Sequence, residues 1–524
     1  MKKHILTVLL LTVSLFAVCA QGTKESTASK ALAPASKKTI TVAVQSFPQT
    51  SISAMSENSN VAIRIDYSIE ETLVKTDYRD GGKFKPGLAE SWEVVDPRHV
   101  IFHLRKGVKF HDGTDFKADD VVYTFGPERL MNKSAAGLAV AGPFLGGIES
   151  VKALDDYTVE VTSKMDDALL LTRFASYPSQ IVSKDSAEKK SFEEFSLMPV
   201  GTGPYKITKY DDSVEIVLEK FDDYWDASNK AASDKIVFKY VPELSTRIAG
   251  LTSGEFDLIT EVPSDQAQAI EKMKGIKVVG GPIQNIYGMF FDTTNDTFMQ
   301  YPKFRQALTV AIDRKKLVAS LFNNLTTIPK NWQSESFGDM FLADYPGVAY
   351  DPTLAKQLLK ECGYNGEPVV YRSLPGYYTL EQTVAEAVVQ MWKEVGINVD
   401  LQIKENWTQI MADDNDRNIY NGSFSAYYPD PVGQFWRRFS DVNAAGKGFD
   451  VPKDFVELGH VLEQNPDLQV RRDTFKKMLD MFQTNPNGMY LYNLPMIYAE
   501  SENIDWSPLP IEGMDFTVNS VKGL

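Results

Sequence analysis

The sequence predicts a mixed α/β protein with more than one domain, on three observations. The chain has 524 residues, more than one hydrophobic core usually supports, so two or three domains are expected. Its composition, 43% hydrophobic and 24% charged, is that of a globular protein rather than a disordered or membrane-spanning one. Segments with the two-residue alternation of strands are followed by segments with helical spacing, most clearly in residues 99–131.

Residues 1–20 have the pattern of an export signal, with Lys2 and Lys3 before an apolar run that is too short for a spanning helix. Two processing routes remain open. Cys19 follows a loose lipobox and could become a lipidated N-terminus, or an ordinary signal-peptidase site could remove it. The polar residues 21–38 predict a flexible tether, which favours lipidation because a tether is useful to an anchored protein.

The elements that follow the tether begin with a predicted strand over residues 39–45 and a predicted helix over 61–75. In residues 99–131, apolar side chains alternate along a strand, a turn follows, and Asp119 and Asp120 open a helix. Carboxylates suit that position because a helix begins at the positive end of its dipole.

The second half of the chain continues the alternation of helices and strands. The spacing of apolar residues predicts helices over residues 378–395 and 453–489, the latter broken at Pro466 and Pro486. Gly396 ends the first of these helices before a predicted strand over 397–403.

Several classes of function are disfavoured by what the sequence contains. A net charge of −15 without a basic run argues against nucleic-acid binding. Two cysteines allow no disulfide framework, and no nucleophile or metal-ligand motif of a hydrolase is present. His99, His103 and His111 could bind a transition metal, but hydrogen-bonded structural histidines are the simpler interpretation.

Residues 104–125, LRKGVKFHDGTDFKADDVVYTF, closely resemble the signature of the peptide/nickel/opine class of extracytoplasmic solute-binding proteins, family 5, which feed ABC importers. Further phrases match in the same order: GTGPY at 201–205, LTSGEFD at 251–257, and RQAL and AIDR within 305–314. The resemblance extends from about residue 39 to the C-terminus.

The resemblance implies a type II periplasmic-binding-protein fold of the large three-domain class, with a ligand cleft between two lobes. The chain is expected to cross between the lobes near residues 201–204 and 281–288. The implied segments are lobe 1 (39–72, 200–283 and 496–524), an insert domain of lobe 1 (73–199) and lobe 2 (284–495).

The resemblance also implies a function. A monomer without a cofactor would capture an oligopeptide or similar small solute outside the cytoplasmic membrane and deliver it to the permease subunits of an ABC importer. It would meet the membrane only through a lipid anchor and would bind no nucleic acid. The alternatives are a member of the same family that binds oligosaccharides, a sensory module that kept the fold, and an exported hydrolase.

By resemblance, three segments of lobe 2 and one loop of lobe 1 line the cleft. The candidate ligand-binding residues are Phe47, Thr50, Tyr377, Tyr378, Glu381, Trp407, Met411, Ser425, Tyr427, Tyr428, Asp430 and Trp436.

One departure from the family bears on the ligand. Peptide-binding relatives hold the ligand's α-ammonium group with an aspartate at the position where this chain has Tyr427, and Asp430 lies three residues further on. A buried ammonium without a carboxylate would be costly, so a neutral oligosaccharide is the alternative ligand.

Overall fold

The computed structural model describes residues 39–48, 51–54, 56–57, 59–131, 137–295, 297–412, 416–441, 448 and 450–522. The signal sequence (1–20), the tether (21–38), Cys19 and Thr50 lie outside these ranges, so the predictions made for them stay predictions.

The strands form one large mixed sheet, one four-stranded sheet and two small pairs. Their order is β14-β13-β15-β12-β16-β11-β1-β10-β9-β8 in the large sheet and β4-β5-β7-β6 in the four-stranded sheet, and β2 pairs with β3 and β17 with β18. The strands are β1 (Thr39–Val44), β2 (Val74–Asp77), β3 (Lys83–Pro86), β4 (Ala89–Asp96), β5 (His99–Leu104), β6 (Ile148–Asp155), β7 (Thr158–Ser163), β8 (Tyr205–Asp211), β9 (Glu215–Lys220), β10 (Lys235–Tyr240), β11 (Leu258–Ile259), β12 (Ile276–Phe291), β13 (Val369–Ser373), β14 (Val399–Ile403), β15 (Ile419–Ser425), β16 (Gly488–Ser501), β17 (Asp505–Trp506) and β18 (Val521–Lys522).

The helices connect and cover these strands. Within the described ranges, none is both long and apolar enough to cross a bilayer. The α-helices are α1 (Asn60–Asp66), α2 (Ala118–Phe125), α3 (Leu138–Leu145), α4 (Leu170–Arg173), α5 (Lys184–Lys189), α6 (Phe192–Leu197), α7 (Leu244–Ser253), α8 (Ser264–Glu271), α9 (Pro302–Val310), α10 (Arg314–Phe322), α11 (Pro352–Glu361), α12 (Glu381–Val395), α13 (Trp407–Ile410), α14 (Arg437–Phe439), α15 (Lys453–Gln464) and α16 (Leu468–Thr484).

Two long strands, β12 and β16, join the halves of the large sheet. They pair antiparallel, and their register shifts between Pro282 and Ile286. Strands of the predicted lobe 1 continue the sheet beyond β16, and strands of the predicted lobe 2 continue it beyond β12. The irregularity falls within the predicted crossing at residues 281–288. The exact lobe boundaries remain a prediction.

Residues 99–131 fold as the sequence predicts, as strand β5 followed by helix α2. One histidine of this segment, His111, forms hydrogen bonds with the GTGPY motif at residues 201–205. The Gly201 N–H donates to His111 Nδ1 over 3.3 Å, and His111 Nε2 donates to the Gly203 carbonyl over 3.0 Å. This pattern requires a neutral ring with its proton on Nε2. Burial lowers the pKa of His111 to about 4, which agrees with that state.

The predicted helix over residues 61–75 is wrong in its length, because α1 ends at Asp66. The backbone carbonyls of the residues after α1 accept hydrogen bonds from the GTGPY motif instead. The Gly203 N–H donates to the Ile69 carbonyl over 2.8 Å, and the Tyr205 N–H donates to the Ser68 carbonyl over 3.1 Å. A Cβ on Gly203 would lie 2.6 Å from the Ser68 oxygen, so this close approach needs glycine.

Candidate ligand-binding site

A cavity of about 410 Å³ lies against β15, α13 and α14. We call it the arginine-side cavity. Its lining residues are Glu57, Ser59, Asn60, Tyr377, Tyr378, Trp407, Met411, Tyr420, Asn421, Gly422, Ser423, Phe424, Ser425, Tyr427, Arg437 and Arg438.

Six of the twelve candidate residues meet in this cavity: Tyr377, Tyr378, Trp407, Met411, Ser425 and Tyr427. They come from three separate segments of the predicted lobe 2. The Tyr377 ring stands edge-on to the Trp407 ring at 5.4 Å and to the Tyr378 ring at 4.8 Å. Tyr377 and Trp407 stay half-buried, so each has aromatic surface available to a ligand.

The cavity lining includes two arginines that are not among the candidate residues of the sequence analysis. The Arg437 guanidinium lies 4.6 Å from the centre of the Tyr427 ring, and that of Arg438 lies 3.7 Å from the centre of the Phe290 ring. Arg438 also donates to the Tyr420 hydroxyl over 3.1 Å. Stacking on aromatic faces orients a guanidinium while its N–H groups remain suited to a carboxylate. The only signal in the sequence is their position directly after Trp436.

Five candidate residues lie outside the cavity lining. Phe47 is buried and packs on Tyr240 at 5.8 Å, and the Trp436 ring packs against His460 at 5.8 Å. Tyr428 is also buried. These three side chains belong to the hydrophobic core of the described structure. The other two are the carboxylates Glu381 and Asp430.

Asp430 is held in a buried ion pair. Both of its carboxylate oxygens lie 2.7 Å from Arg471 Nη2, and Oδ1 also accepts the Val432 N–H over 2.9 Å. Burial raises the pKa of Asp430, and the positive charge of Arg471 opposes that shift. This arrangement fixes the loop that carries Tyr427 and leaves Asp430 outside the cavity.

Glu381 begins helix α12 beneath the arginine-side cavity. Its carboxylate accepts a hydrogen bond from the Asn421 side chain and, over 3.1 Å, one from the Tyr378 N–H. Burial raises the pKa of Glu381 to about 7. Glu381 therefore supports two lining residues rather than facing the ligand space itself.

A second cavity, of about 150 Å³, lies on the other side of Tyr427, and we call it the acid-side cavity. Ser425 and Tyr427 line both cavities. Ala426 lies between these two, and the other lining residues come from α1 and the chain after it, from residues 175–229 and from the C-terminal segment. Its charged lining residues are Glu70, Glu71, Lys75, Glu512 and Asp515.

Tyr427 forms the wall between the two cavities. Its ring stands edge-on to Phe144 at 4.8 Å and lies nearly parallel to Tyr177 at 6.4 Å. Phe144 and Tyr177 belong to the predicted insert domain, whereas Tyr427 belongs to the predicted lobe 2. The residue that replaces the family's aspartate thus packs across the predicted cleft.

The described part of the chain holds no cluster of three or more His, Cys, Asp or Glu side chains suited to a metal ion. The site offers instead aromatic faces, two guanidinium groups and several carboxylates. Such a set can bind a small organic molecule with charged ends.

Comparison with known proteins gives consistent matches. Residues 83–446 match the model of the bacterial extracellular solute-binding proteins, family 5 (middle region). Heme-binding protein A of Haemophilus influenzae is 32% identical over 359 residues, which cover 60% of this chain and 61% of that protein. The dipeptide-binding protein of Escherichia coli is 30% identical over 382 residues, 68% of this chain and 70% of that protein. The matched region thus spans less than two thirds of the first relative's length.

Solved structures share the fold over most of the chain. A periplasmic binding protein of Helicobacter pylori in complex with the peptide STSA superimposes with a TM-score of 0.82 at 23% identity, covering 91% of this chain and 97% of that one. A dipeptide-binding protein of Pseudoalteromonas in complex with Met-Leu gives 0.81 at 23% identity, with coverage of 92% and 99%. The predicted periplasmic-binding-protein fold is confirmed, and the chain belongs to the bacterial extracellular solute-binding proteins of family 5.

Proposed function

We propose that this chain captures an oligopeptide or a similar small solute outside the cytoplasmic membrane and delivers it to the permease subunits of an ABC importer. The observation that carries the proposal is the arginine-side cavity, where aromatic faces and two guanidinium groups surround about 410 Å³. Relatives named for dipeptides, for glutathione and for di- and tripeptides support this ligand class.

The charged lining favours a peptide over the oligosaccharide alternative. Aromatic faces such as those of Tyr377 and Trp407 would serve a sugar or a peptide side chain equally. Arg437 and Arg438, in contrast, add to the lining guanidinium groups whose geometry matches a carboxylate, which a peptide has and a neutral sugar lacks. A peptide brings a carboxylate to that place, and a carboxylate forms a charge-assisted, often bidentate, pair with arginine.

In this proposal Tyr377, Tyr378, Trp407, Met411, Ser425 and Tyr427 contact the ligand, and Glu381, Asp430 and Trp436 hold the contacting segments in place. Lobes 1 and 2 close around the ligand by bending near residues 201–204 and 281–288, a hinge-type movement. The protein acts as a binding protein and not as an enzyme or a sensory module.

The most direct experiment is mass spectrometry of the small molecules released when the purified protein is denatured. We expect peptides, enriched over a mock purification and over the same protein carrying Arg437→Met and Trp407→Ala. Release of oligosaccharides would replace the peptide assignment with the alternative. Release of neither, together with no binding to a peptide library, would refute the proposed ligand class.

We further propose that the mature protein is a monomer anchored by a lipid on Cys19. The loose lipobox and the polar residues 21–38 support the anchor. Cys19→Ser should move the protein from the membrane fraction to the soluble fraction, with Cys362→Ser as the control that should not. A mature N-terminus that begins, unmodified, at Gln21 would contradict the anchor.

A further inference from the structure

We propose that the acid-side cavity receives the cationic group of the ligand, an ammonium or a guanidinium, and that the Glu512 carboxylate pairs with it. The inference rests on the proposed function and specifies how the same cleft recognises the charge of its ligand. It assigns the anionic partner to the C-terminal segment, far in sequence from the position where Tyr427 replaces the aspartate of peptide-binding relatives.

Glu512 is fixed at the boundary between the two cavities. Its Oε1 accepts from Asn285 Nδ2 over 2.6 Å and from Ser425 Oγ over 2.7 Å. Asn285 and Ser425 are themselves register partners on β12 and β15. Ser425 lines both cavities, so the carboxylate lies one hydrogen bond away from the arginine-side cavity.

The segment that carries Glu512 is anchored on both sides. The Gln284 N–H donates to the Pro510 carbonyl over 2.8 Å, and Ser68 Oγ donates to the Met514 carbonyl over 3.2 Å. A Cβ on Gly513 would lie 2.6 Å from the Tyr67 ring, so the backbone passes close to that ring. The carboxylate is therefore held in one position before a ligand arrives, which lowers the entropic cost of binding.

Two of the other carboxylates of the acid-side cavity lie beside positive charges of the chain itself. Glu71 pairs with Lys75 at 2.6 Å and accepts from Thr202, Tyr224 and Trp225. Glu70 accepts from Ser53 and from the Ala54 N–H, and it lies in the field of Arg129.

Asp515 accepts from the Thr517 N–H over 2.9 Å and from the Ser520 hydroxyl. Glu512 also receives its side-chain hydrogen bonds from neutral donors among the described residues, both on Oε1. Burial raises the pKa of Glu512, and the charge of Arg437 opposes that shift. Glu512 forms no ion pair with a described residue. Among the four carboxylates, Glu512 is the one that accepts from Ser425, which lines both cavities, and this place favours it as the partner of a ligand cation.

The walls and the size of the cavity suit a compact cation. Five tyrosines line it: Tyr67, Tyr78, Tyr177, Tyr224 and Tyr427. Aromatic faces attract cations, and the attraction grows when water is excluded. The cavity volume of about 150 Å³ is roughly ten times the 10–15 Å³ that one water molecule needs on this measure. An ammonium or guanidinium with a short alkyl stem therefore has room in it.

The experiment compares an equimolar library of tripeptides without lysine, arginine or histidine, whose only cation is the N-terminal amine, with the same library after N-acetylation, both as free acids, by native mass spectrometry and by competition. We expect the wild-type protein to prefer the free amines at least tenfold and Glu512→Gln to prefer them less than twofold. The glutamine keeps an oxygen that can accept from Asn285 and Ser425, so the variant should fold. Glu512→Asp, which withdraws the carboxylate, should show an intermediate preference.

Glu500→Gln is the matched control, because Glu500 is equally buried but pairs with Lys277 outside both cavities. It should keep the wild-type preference. Equal binding of the two libraries by the wild type, or a preference that survives in Glu512→Gln, would overturn the inference and leave the proposed function standing. If neither library binds, the peptide assignment fails and the inference fails with it.

Discussion

The two cavities on either side of Tyr427 differ in size and in charge. The arginine-side cavity, of about 410 Å³, contains two arginines and one glutamate. The acid-side cavity, of about 150 Å³, contains four carboxylates and one lysine. They share the side chains of Ser425 and Tyr427, so a single aromatic ring separates a largely positive space from a largely negative one.

This difference shows how a cleft can give a ligand a direction. A molecule with a positive and a negative end would gain from both spaces in one orientation and lose in the reverse orientation, where like charges would meet. The family resemblance implies an aspartate at the position of Tyr427 in peptide-binding relatives. Here an uncharged ring takes that place, and the carboxylates lie behind it.

The comparison requires that Asp430, although close in sequence to Tyr427, belongs to neither cavity. Asp430→Asn should lower the free energy of unfolding by about 3–5 kcal/mol, because Arg471 would remain buried without its partner. Ligand affinity of the folded fraction should change less than twofold. Chemical denaturation and calorimetry at a temperature where the variant is folded would measure the two effects.

The double variant Asp430→Asn, Arg471→Met is the control, because it removes the buried charge and should recover part of the lost stability. A variant of wild-type stability with tenfold weaker peptide binding would instead assign Asp430 to the ligand.

Glu381, beneath the arginine-side cavity, should make the free energy of unfolding depend on pH. The folded-state pKa of Glu381 is raised from 4.5 to about 7, so between these values the folded state binds the proton more tightly than the unfolded state. The resulting contribution, about 3 kcal/mol, is fully present below pH 4.5 and is lost as the pH rises through about 7. Denaturant titrations of wild type and Glu381→Gln should therefore differ in pH dependence over this window. Parallel profiles would show that Glu381 is not the group responsible.

Replacing Arg437 by a neutral residue should weaken the binding of the ligand's carboxylate and of no other part of the ligand. Arg437→Met should reduce the affinity for peptides with a free carboxylate by roughly ten- to a hundredfold, the equivalent of losing one charged hydrogen bond of about 1.5–3 kcal/mol. Peptide amides should bind wild type and variant nearly alike. Arg98→Met, which removes a half-buried arginine in the turn between β4 and β5, should change neither affinity. An equal loss for acids and amides would mean that Arg437 supports the Tyr427 ring and does not contact the ligand.

Much of the fold could be predicted from the sequence, but less of the site. Local patterns predicted β5, α2 and the body of α12, because alternation, helical spacing and a terminal glycine are properties of neighbouring residues. The end of α1 was missed because the bonds that replace its helical ones come from Gly203 and Tyr205, more than a hundred residues later in the chain.

The same reason explains why the sequence did not reveal the roles of the charged residues in the site. Glu512 meets Ser425 across 87 residues of sequence, and the partner of Asp430 is 41 residues away. Aromatic residues near family phrases could be proposed as cleft-lining, and six of them or their neighbours do meet in one cavity. Which carboxylate faces that space and which is occupied by an arginine depends on contacts that no local pattern contains.

The division of charge across Tyr427 is tested most directly by the affinity of one tripeptide in four forms: both ends free, the amine acetylated, the acid amidated, and both ends blocked. Calorimetry of the wild-type protein with these forms gives the contribution of each end and their coupling. We predict that each block weakens binding at least tenfold and that the doubly blocked form binds at least a hundredfold more weakly. Four equal affinities would contradict a cleft that reads charge at both ends of its ligand.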